Sequence, residues 1–577
     1  MQTLQPRRLS RLLTFGCIIS AVAFLSETAA AQQTLFTVNG PAANDVLGQV
    51  VDIIGDANGD GFADFMAGGW RADAPGPKVD AGIVRVYSGF NGAILYNIFG
   101  DLAGDHMGFG SSAAGDVNGD GFMDICAAAD EADIGAILNA GTIKIISGLN
   151  GSLIWQFSGV VANDLFGWST GVIGDINNDG KSEVIGGALL GNNTGIANDT
   201  GYIKVINGAT GLPLYTKFGD STGDNFGYSC YGAGDVNADG TPDFIAGAPT
   251  DDNFGSASGL ARLFSGATGG TIRNFNGDNA NDNFGRSVCG AGDVNLDGFV
   301  DIIIGAHLDD NTGADSGMAR IYNGQNFSIH QTLNGDSAGD RFGTFVRGAG
   351  DVDGDGYPDV VVGSPGDASG AGSVKVFSGR DWSIIQTLLG DSAGDSMGTS
   401  VGAGGDINND GFMDVVGGAI GDDNAGASSG SARAYSLIPV GVTHFGIGTP
   451  GCDGKQLVNA NKVPKINTPG FGIIGNNAPP STLNLLIVAD GQLPLGGDQL
   501  GIFATLYIDF FTSTFVDGYD FVSDATGFAG VPLPIPNDPG LIGLVATVQS
   551  LSVWPVNCGL GALNISTSIA AEITIQP

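Results

Sequence analysis

Short segments in which apolar and polar residues alternate, separated by turns rich in Gly, Asp and Asn, follow one another along most of the chain. Residues 82–89 (GIVRVYSG) and 152–157 (SLIWQF) are examples. A period of two predicts β-strands with one buried face, and we find no helical period in these segments. The pattern therefore predicts an all-β fold.

A ten-residue string of the approximate form GDxNxDGxxD occurs seven times, at intervals of 55 to 60 residues. An FG-like pair precedes each copy, and a β-type run, a polar loop and two further strands follow it. Four short strands in each repeat are typical of one blade of a β-propeller. The repeats predict a seven-bladed β-propeller over residues 32–437.

The two ends of the repeat array complement each other. The seventh copy has no fourth strand before the composition changes, whereas residues 34–40 (TLFTVNG) supply one spare strand near the beginning of the chain. We therefore predict that the N-terminal strand completes blade seven and closes the ring, which removes exposed sheet edges.

The amino-acid composition disfavours helices, and the negative charge favours the binding of cations. The chain has 99 glycines, and only four of its 60 acidic residues are glutamate. Asp and Gly are poor helix formers, so an all-α protein is excluded. A net charge of −38 repels nucleic acid and anionic lipid, and we expect neither as a partner.

Positions one, three, five and nine of each repeated loop carry side-chain oxygens, and position seven can offer its backbone carbonyl. Hard oxygen donors on a short loop with Gly at position six favour calcium. The predicted sites are Asp56, Asn58, Asp60, Phe62, Asp64; Asp116, Asn118, Asp120, Phe122, Asp124; Asp175, Asn177, Asp179, Lys181, Glu183; Asp235, Asn237, Asp239, Thr241, Asp243; Asp293, Asn295, Asp297, Phe299, Asp301; Asp351, Asp353, Asp355, Tyr357, Asp359; and Asp406, Asn408, Asp410, Phe412, Asp414.

These loops are not EF-hands, which require a Glu at position twelve and flanking helices. The alternative is a set of metal-free Asp/Gly turns, but such turns need no mutually repelling carboxylates. We predict up to seven structural calcium ions, with the third site, which contains Lys181 and Glu183, the weakest.

The FG pair, the GDxNxDGxxD string and the GAP-like ends of runs such as residues 244–249 (FIAGAP) resemble the FG-GAP repeats of the integrin α-subunit propeller and of secreted bacterial relatives. The resemblance extends over residues 32–437. It implies a seven-bladed propeller with calcium in the repeated loops, and it associates the fold with extracellular adhesion and recognition.

Residues 1–31 have the features of a secretory signal peptide. Arg7, Arg8 and Arg11 precede an apolar run, and three alanines end the segment before Gln32. A membrane anchor and a lipoprotein at Cys17 are the alternatives. We predict export to the medium or cell surface, with no transmembrane segment after cleavage.

Five cysteines follow the predicted cleavage point. We expect Cys126, Cys230 and Cys289 to be buried thiols, because they lie in apolar stretches. Cys452 and Cys558 either form a disulfide or remain free. They bracket much of residues 438–577, where the repeat stops and apolar β-type segments predict a smaller β-sandwich-like domain.

Antiparallel strands place the inter-blade loops and the loops between strands two and three on the face opposite the calcium loops. We expect ligand binding on that face. One basic residue recurs in strand three. Either it pairs with a local aspartate or guards a blade edge, or it belongs to a ring that binds a partner. The recurring residues are Arg85, Lys144, Lys204, Arg262, Arg320, Lys375 and Arg433.

Enzyme motifs are weak. Residues 426–430 match G-x-S-x-G around Ser428 but lie in a polar loop between strands, and the four histidines have no spaced metal-ligand partners. We therefore predict a non-enzymatic adhesion or recognition module for an extracellular protein or glycan. An enzyme or enzyme-associated module acting on polysaccharide or lipid is the alternative, and a structural surface-layer role is a third. The oligomeric state is left open.

Overall fold

The computed structural model describes residues 33–192 and 199–437, and beyond them only the backbone of individual strands. Seven four-stranded antiparallel sheets form the blades of a β-propeller, as the repeats predict. The helical content of the described residues is one four-residue turn, α1 (Asp367–Gly370). No helix in this described part of the chain has the length and apolar character to span a bilayer.

The first strand, β1 (Gln33–Asn39), lies outside the repeats, and each repeat then supplies its strands in chain order. Blade one contains β2 (Val50–Gly55), β3 (Asp64–Gly69), β4 (Ile83–Tyr87) and β5 (Ile94–Phe99); blade two β6 (Ser112–Gly115), β7 (Asp124–Ala129), β8 (Thr142–Ile146) and β9 (Leu153–Ser158); blade three β10 (Phe166–Gly174), β11 (Glu183–Ala188), β12 (Tyr202–Ile206) and β13 (Pro213–Phe218).

The remaining blades follow the same order. Blade four contains β14 (Ser229–Gly234), β15 (Asp243–Ala248), β16 (Leu260–Phe264) and β17 (Thr271–Asn276); blade five β18 (Phe284–Gly292), β19 (Asp301–Ala306), β20 (Met318–Tyr322) and β21 (Ile329–Asn334); blade six β22 (Phe345–Gly350), β23 (Asp359–Ser364), β24 (Ser373–Phe377) and β25 (Ile384–Leu389); blade seven β26 (Met397–Gly405), β27 (Asp414–Ala419) and β28 (Ser431–Ser436).

Blade seven is completed by the N-terminal strand, which confirms the predicted closure. Strand β1 pairs antiparallel with β28, with Thr37 opposite Arg433 and Val38 opposite Ala432. The innermost strands of blades one and seven, β2 and β26, are in contact, so the ring is closed.

Burial follows the position of each strand within its blade. The second strand is buried at every residue in all seven blades, whereas fourth strands such as β5 are exposed or half-buried. The first residue of each FG-like pair is fully buried; these residues are Leu47, Met107, Phe166, Phe226, Phe284, Phe342 and Met397. Phe226 packs with Ile203 and Val205 of blade three and with Phe244 of blade four, so these side chains hold neighbouring blades together.

The glycine of the FG pair allows this close packing. Gly285 has a φ of +86°, and an added Cβ would lie 2.3 Å from the Leu260 carbonyl oxygen. A larger residue would therefore meet both backbone strain and a clash with the preceding blade.

Among the described residues, eleven further strands follow the propeller in the chain and form sheets in the orders β29-β39-β37-β32-β35 (with β38 on β37), β30-β31-β36 and β33-β34. They are β29 (Val442–Phe445), β30 (Leu457–Ala460), β31 (Gly472–Asn476), β32 (Leu483–Ala489), β33 (Gln492–Gly497), β34 (Leu506–Ile508), β35 (Val516–Val522), β36 (Ala529–Pro532), β37 (Val545–Val553), β38 (Ile565–Thr567) and β39 (Ala570–Thr574).

Several predictions concern residues that lie outside those described. The packing of the C-terminal sheets into a sandwich, the pairing of Cys452 with Cys558 and the signal peptide at residues 1–31 all stay predictions. Cys126, Cys230 and Cys289, by contrast, are buried free thiols, as predicted.

Candidate metal-binding loops

All seven predicted loops connect the first strand of a blade to the second. The residue at position nine is in every case the first residue of the second strand, as Asp64 is in β3. A β-bulge ends the first strand immediately before each loop, and such bulges re-aim the chain at sites of this kind. The β-strands on both sides agree with the exclusion of an EF-hand.

The carboxylate at position one organises the turn. In the first loop, Asp56 Oδ1 accepts the backbone N–H groups of Gly59 and Asp60, and Asp56 Oδ2 accepts that of Gly61 over 2.9 Å. The bond from the N–H of position six recurs in all seven loops. The N–H of position seven likewise donates to the position-five carboxylate throughout, as from Phe62 to Asp60.

The acid at position nine is fully buried. Asp64 Oδ2 accepts the N–H of Ala57 and its Oδ1 accepts that of Gly89, which follows the third strand. The acidic loop and the turn between strands three and four therefore lie on the same face of the propeller. In blade seven, where β1 replaces this turn, Asp414 Oδ1 is buried with no hydrogen-bond partner.

Burial is the main influence on these position-nine acids. It raises the pKa of Asp64, Asp124, Asp243 and Asp301 to about 6 against the lowering effect of the backbone N–H groups. Burial and the charge of Asp410 raise the pKa of Asp414 to about 9. A buried carboxylate that is ionised lowers the stability of the fold when no positive charge lies beside it.

The loops differ in how closely their carboxylates approach. Within the described residues, loop six brings oxygens of Asp351, Asp353 and Asp355 within 4.8 Å of one another. The other loops carry Asn at position three. In loops three, four and five, the Nδ2 of this Asn donates to the acid at position nine, as from Asn177 to Glu183 Oε1 over 2.7 Å.

Three of the position-seven side chains lie over the loop of the preceding blade. An added Cβ at Gly59 would meet the Phe122 ring, one at Gly119 would meet Lys181, and one at Gly354 would meet the Phe412 ring. Each side chain thus covers the preceding loop. In the loops that carry these three side chains, position seven can therefore bind an ion only through the backbone carbonyl.

On the opposite face, the basic residues of strand three pair mostly with local aspartates, as one of the two interpretations predicts. Lys144, Arg262, Arg320, Lys375 and Arg433 form ion pairs with aspartates of the loop that enters their blade, for example Lys144 Nζ with Asp101 Oδ1 at 2.8 Å. Arg85 donates to Asn97, and Lys204 lies over the rings of Phe166 and Tyr202.

Two acidic triplets on this face escape the sequence analysis, namely Asp220 with Asp224 and Asp251, and Asp391 with Asp395 and Asp422. The recurrent GDxxGD segment before the FG pair is the signal that could have found them. An arginine pairs with part of each triplet: Arg262 with Asp220, and Arg433 with Asp391 and Asp422.

A cavity of about 110 Å³ at the centre of the ring is also absent from the sequence prediction. The residue directly after the FG pair lines it in six of the seven blades: Gln49, Phe109, Trp168, Tyr228, Arg286 and Thr399. These positions were recognisable in the repeat, but a repeat pattern does not indicate which positions face the axis. We refer to this space as the central cavity.

Comparison with known proteins agrees with this architecture. The FG-GAP repeat model matches residues 284–322 and 342–377, in blades five and six. The chain is 33% identical to integrin alpha-5 of Xenopus laevis over 233 residues, which is 37% of this chain and 21% of that protein. It is also 31% identical over 233 residues to integrin alpha-8 of Gallus gallus, covering 37% of this chain and 21% of that protein.

The propeller is an integrin alpha-like FG-GAP propeller. The chain spans about a fifth of the length of these curated relatives, since the matched region is 21% of each. The similarity therefore concerns the FG-GAP propeller and not the whole integrin subunit.

Proposed function

We propose that the protein is a secreted, calcium-stabilised recognition module that binds an extracellular protein or glycan and has no enzymatic role. The observation that carries this proposal is the sevenfold recurrence of one acidic loop within a closed integrin alpha-like propeller. Export rests on the features of residues 1–31 given above. The ligand would bind on the face that carries the inter-blade loops.

The donor set of each loop fits calcium. Three carboxylates, an Asn or Asp oxygen at position three and the carbonyl at position seven provide hard oxygens within one short turn. A buried acid at position nine, such as Asp64, gains a neighbouring positive charge when an ion is bound. The ions would be structural, because the loops join first and second strands and face away from the proposed ligand surface.

The contribution of bound calcium to the free energy of unfolding can be estimated from the affinity of each site. With an affinity near 10⁻⁴ M, as in extracellular modules, and millimolar calcium, each site contributes about 1.4 kcal/mol to the free energy of unfolding. Seven independent sites would contribute about 10 kcal/mol, which is comparable to the whole stability of many domains.

Equilibrium dialysis of the mature chain against calcium, with metal analysis, tests the metal sites. We expect up to seven bound ions, one fewer in Asp351→Ala, and an unchanged number in the control Asp252→Asn, whose aspartate is exposed outside the loops. Absence of bound calcium, or the same number in Asp351→Ala, would contradict the assignment.

A binding screen against glycan and matrix-protein arrays tests recognition. We expect binding in millimolar calcium that decreases after chelation, because the loops support the blades. Hydrolysis of an arrayed glycan would instead favour an enzyme. An empty array both with calcium and with chelator would leave the recognition function without support.

A further inference from the structure

Aromatic side chains from several blades surround one side of the central cavity. Phe109, Trp168 and Tyr228, from blades two, three and four, line it. Neighbouring rings are in contact, with centroids 4.6 Å apart for Phe109 and Trp168 and 5.5 Å apart for Trp168 and Tyr228. All three are half-buried, so the cavity presents a continuous but partly solvent-accessible aromatic arc.

Two arginines continue this arc in blades five and six. The Arg286 guanidinium lies 4.5 Å from the centroid of Tyr228, and that of Arg347 lies 4.6 Å from the centroid of Phe345. Both arginines line the cavity. Arg347 is only 8% exposed, and its Nε has no hydrogen-bond partner.

The charge of the central cavity is opposite to that of the protein. Its described lining contains these two arginines and no acidic side chain, although the chain has a net charge of −38. Asp52 is not part of the lining; it is bound by the hydroxyl of Tyr231 and by the N–H of Ala113, and its charge also acts on Arg347, so the charge of Arg347 is partly balanced within the fold. A cationic ligand is disfavoured here, because the guanidinium of Arg286 already occupies a position over Tyr228.

The central cavity also offers hydroxyl groups with free protons. Ser111 Oγ accepts the N–H of Ala128 and Ser287 Oγ accepts that of Val346, so each hydroxyl retains its proton for donation. A volume of about 110 Å³ is well below the roughly 300 Å³ or more of a typical drug-sized pocket. The space therefore fits one ring-sized group.

We propose that the central cavity binds a uronic acid residue of an acidic glycan, with the sugar ring against the Trp168 and Tyr228 side and the carboxylate toward Arg286 and Arg347. The aromatic arc can stack on the apolar face of a pyranose, the arginines can bind its carboxylate, and the serine hydroxyls can donate hydrogen bonds to its hydroxyl and ring oxygens. This inference rests on the proposed recognition function and names its ligand class and site.

Isothermal titration calorimetry of the calcium-loaded mature chain with trigalacturonate tests the proposal, with neutral maltotriose and an acidic peptide as comparison ligands. We expect trigalacturonate to bind at least tenfold more tightly than either. Trp168→Ala and Arg286→Gln should each weaken its binding at least tenfold. Trp382→Ala and Arg273→Gln, which alter a tryptophan and an arginine outside the cavity, should change it less than twofold.

A cooperative melting transition close to that of the parent, measured in the same buffer, would show that each variant is folded. Equal affinity for maltotriose, equal affinity for the acidic peptide, no binding of trigalacturonate, or parental binding by Trp168→Ala and Arg286→Gln would each overturn the uronate site. If the array screen still shows binding to other ligands in such a case, this inference fails while the proposed function stands.

Discussion

Arg433 and Asp422 form a buried ion pair in blade seven, where Arg433 Nη2 lies 2.6 Å from Asp422 Oδ2. The side chain of Asp422 is 1% exposed and that of Arg433 is 9% exposed. The same nitrogen lies 2.7 Å from Asp391 Oδ1, in the loop that enters the blade. Because Arg433 stands opposite Thr37 of β1, the ion pair lies at the point where the N-terminal strand closes the ring.

Replacing Arg433 with Gln leaves Asp422 buried without its cation. Removing one partner of a buried pair costs about 3–5 kcal/mol, so we expect a decrease of that size in the free energy of unfolding. Chemical denaturation in calcium measures it. The matched control is Arg262→Gln, whose partner Asp220 is 51% exposed, and there we expect about 1 kcal/mol or less. Equal losses in both variants would contradict a special role for the buried pair.

Phe36 in β1 closes the ring through its side chain as well. Its ring stacks on Phe65 of blade one, with centroids 5.9 Å apart, and lies against Gly92. Elsewhere an aromatic residue of strand four reaches the next blade in the same way, as when the Tyr96 hydroxyl donates to the Gly148 carbonyl over 2.7 Å. Phe36 thus provides the corresponding contact between blades seven and one.

We expect Phe36→Ala to lower the free energy of unfolding by about 2 kcal/mol, less than the roughly 3–5 kcal/mol of a fully buried Phe because Phe36 is half-buried. Phe90→Ala is the control, since that side chain is 60% exposed and its loss should change stability by about 0.5 kcal/mol or less. Chemical denaturation of both variants and of the parent measures these two changes in the free energy of unfolding. A loss no greater in Phe36→Ala than in the control would mean that β1 contributes to closure through its backbone alone.

Most of the fold was predictable because each repeat carries its own strand and turn signals. The unpaired seventh repeat and the spare strand containing Phe36 also specified closure. The positions of the loop residues followed from the repeat, since Asp64 and its equivalents begin the second strand as expected. The central cavity was not predictable, because Trp168 and Arg286 come together only through the arrangement of blades around the axis.

Asp130 provides a pH dependence outside the proposed metal sites. It is 2% exposed, its Oδ1 has no hydrogen-bond partner, and burial followed by the charge of Glu131 raises its pKa from 3.8 to about 8. The folded state therefore holds this proton at pH values where the unfolded chain has released it. Stability from this group is present at low pH and is lost as the pH rises from about 4 through 8.

We expect Asp130→Asn to melt at a higher temperature than the parent at pH 9, with the difference shrinking towards pH 5. Melting curves at fixed calcium concentration measure this. The exposed Asp252→Asn serves as control and should show no such trend. A constant difference between Asp130→Asn and the parent across this range would show that the carboxyl does not titrate there.

In loop six, a single substitution can change the charge of the loop while keeping the hydrogen bond that supports its turn. It carries Asp353 where loop four carries Asn237, and both residues accept the N–H of position five through Oδ1. Asp353→Asn keeps this acceptor but removes one repelling charge beside Asp351 and Asp355. We expect it to raise the melting temperature in EDTA and to reduce the increase that calcium produces.

The reverse exchange, Asn237→Asp, should lower the melting temperature in EDTA and enlarge the increase with calcium, because an added carboxylate repels its neighbours until an ion binds between them. Melting curves of the two variants and the parent, each with EDTA and with calcium, measure both effects. If either exchange shifts the two melting temperatures equally, the loop charge is not coupled to a bound cation.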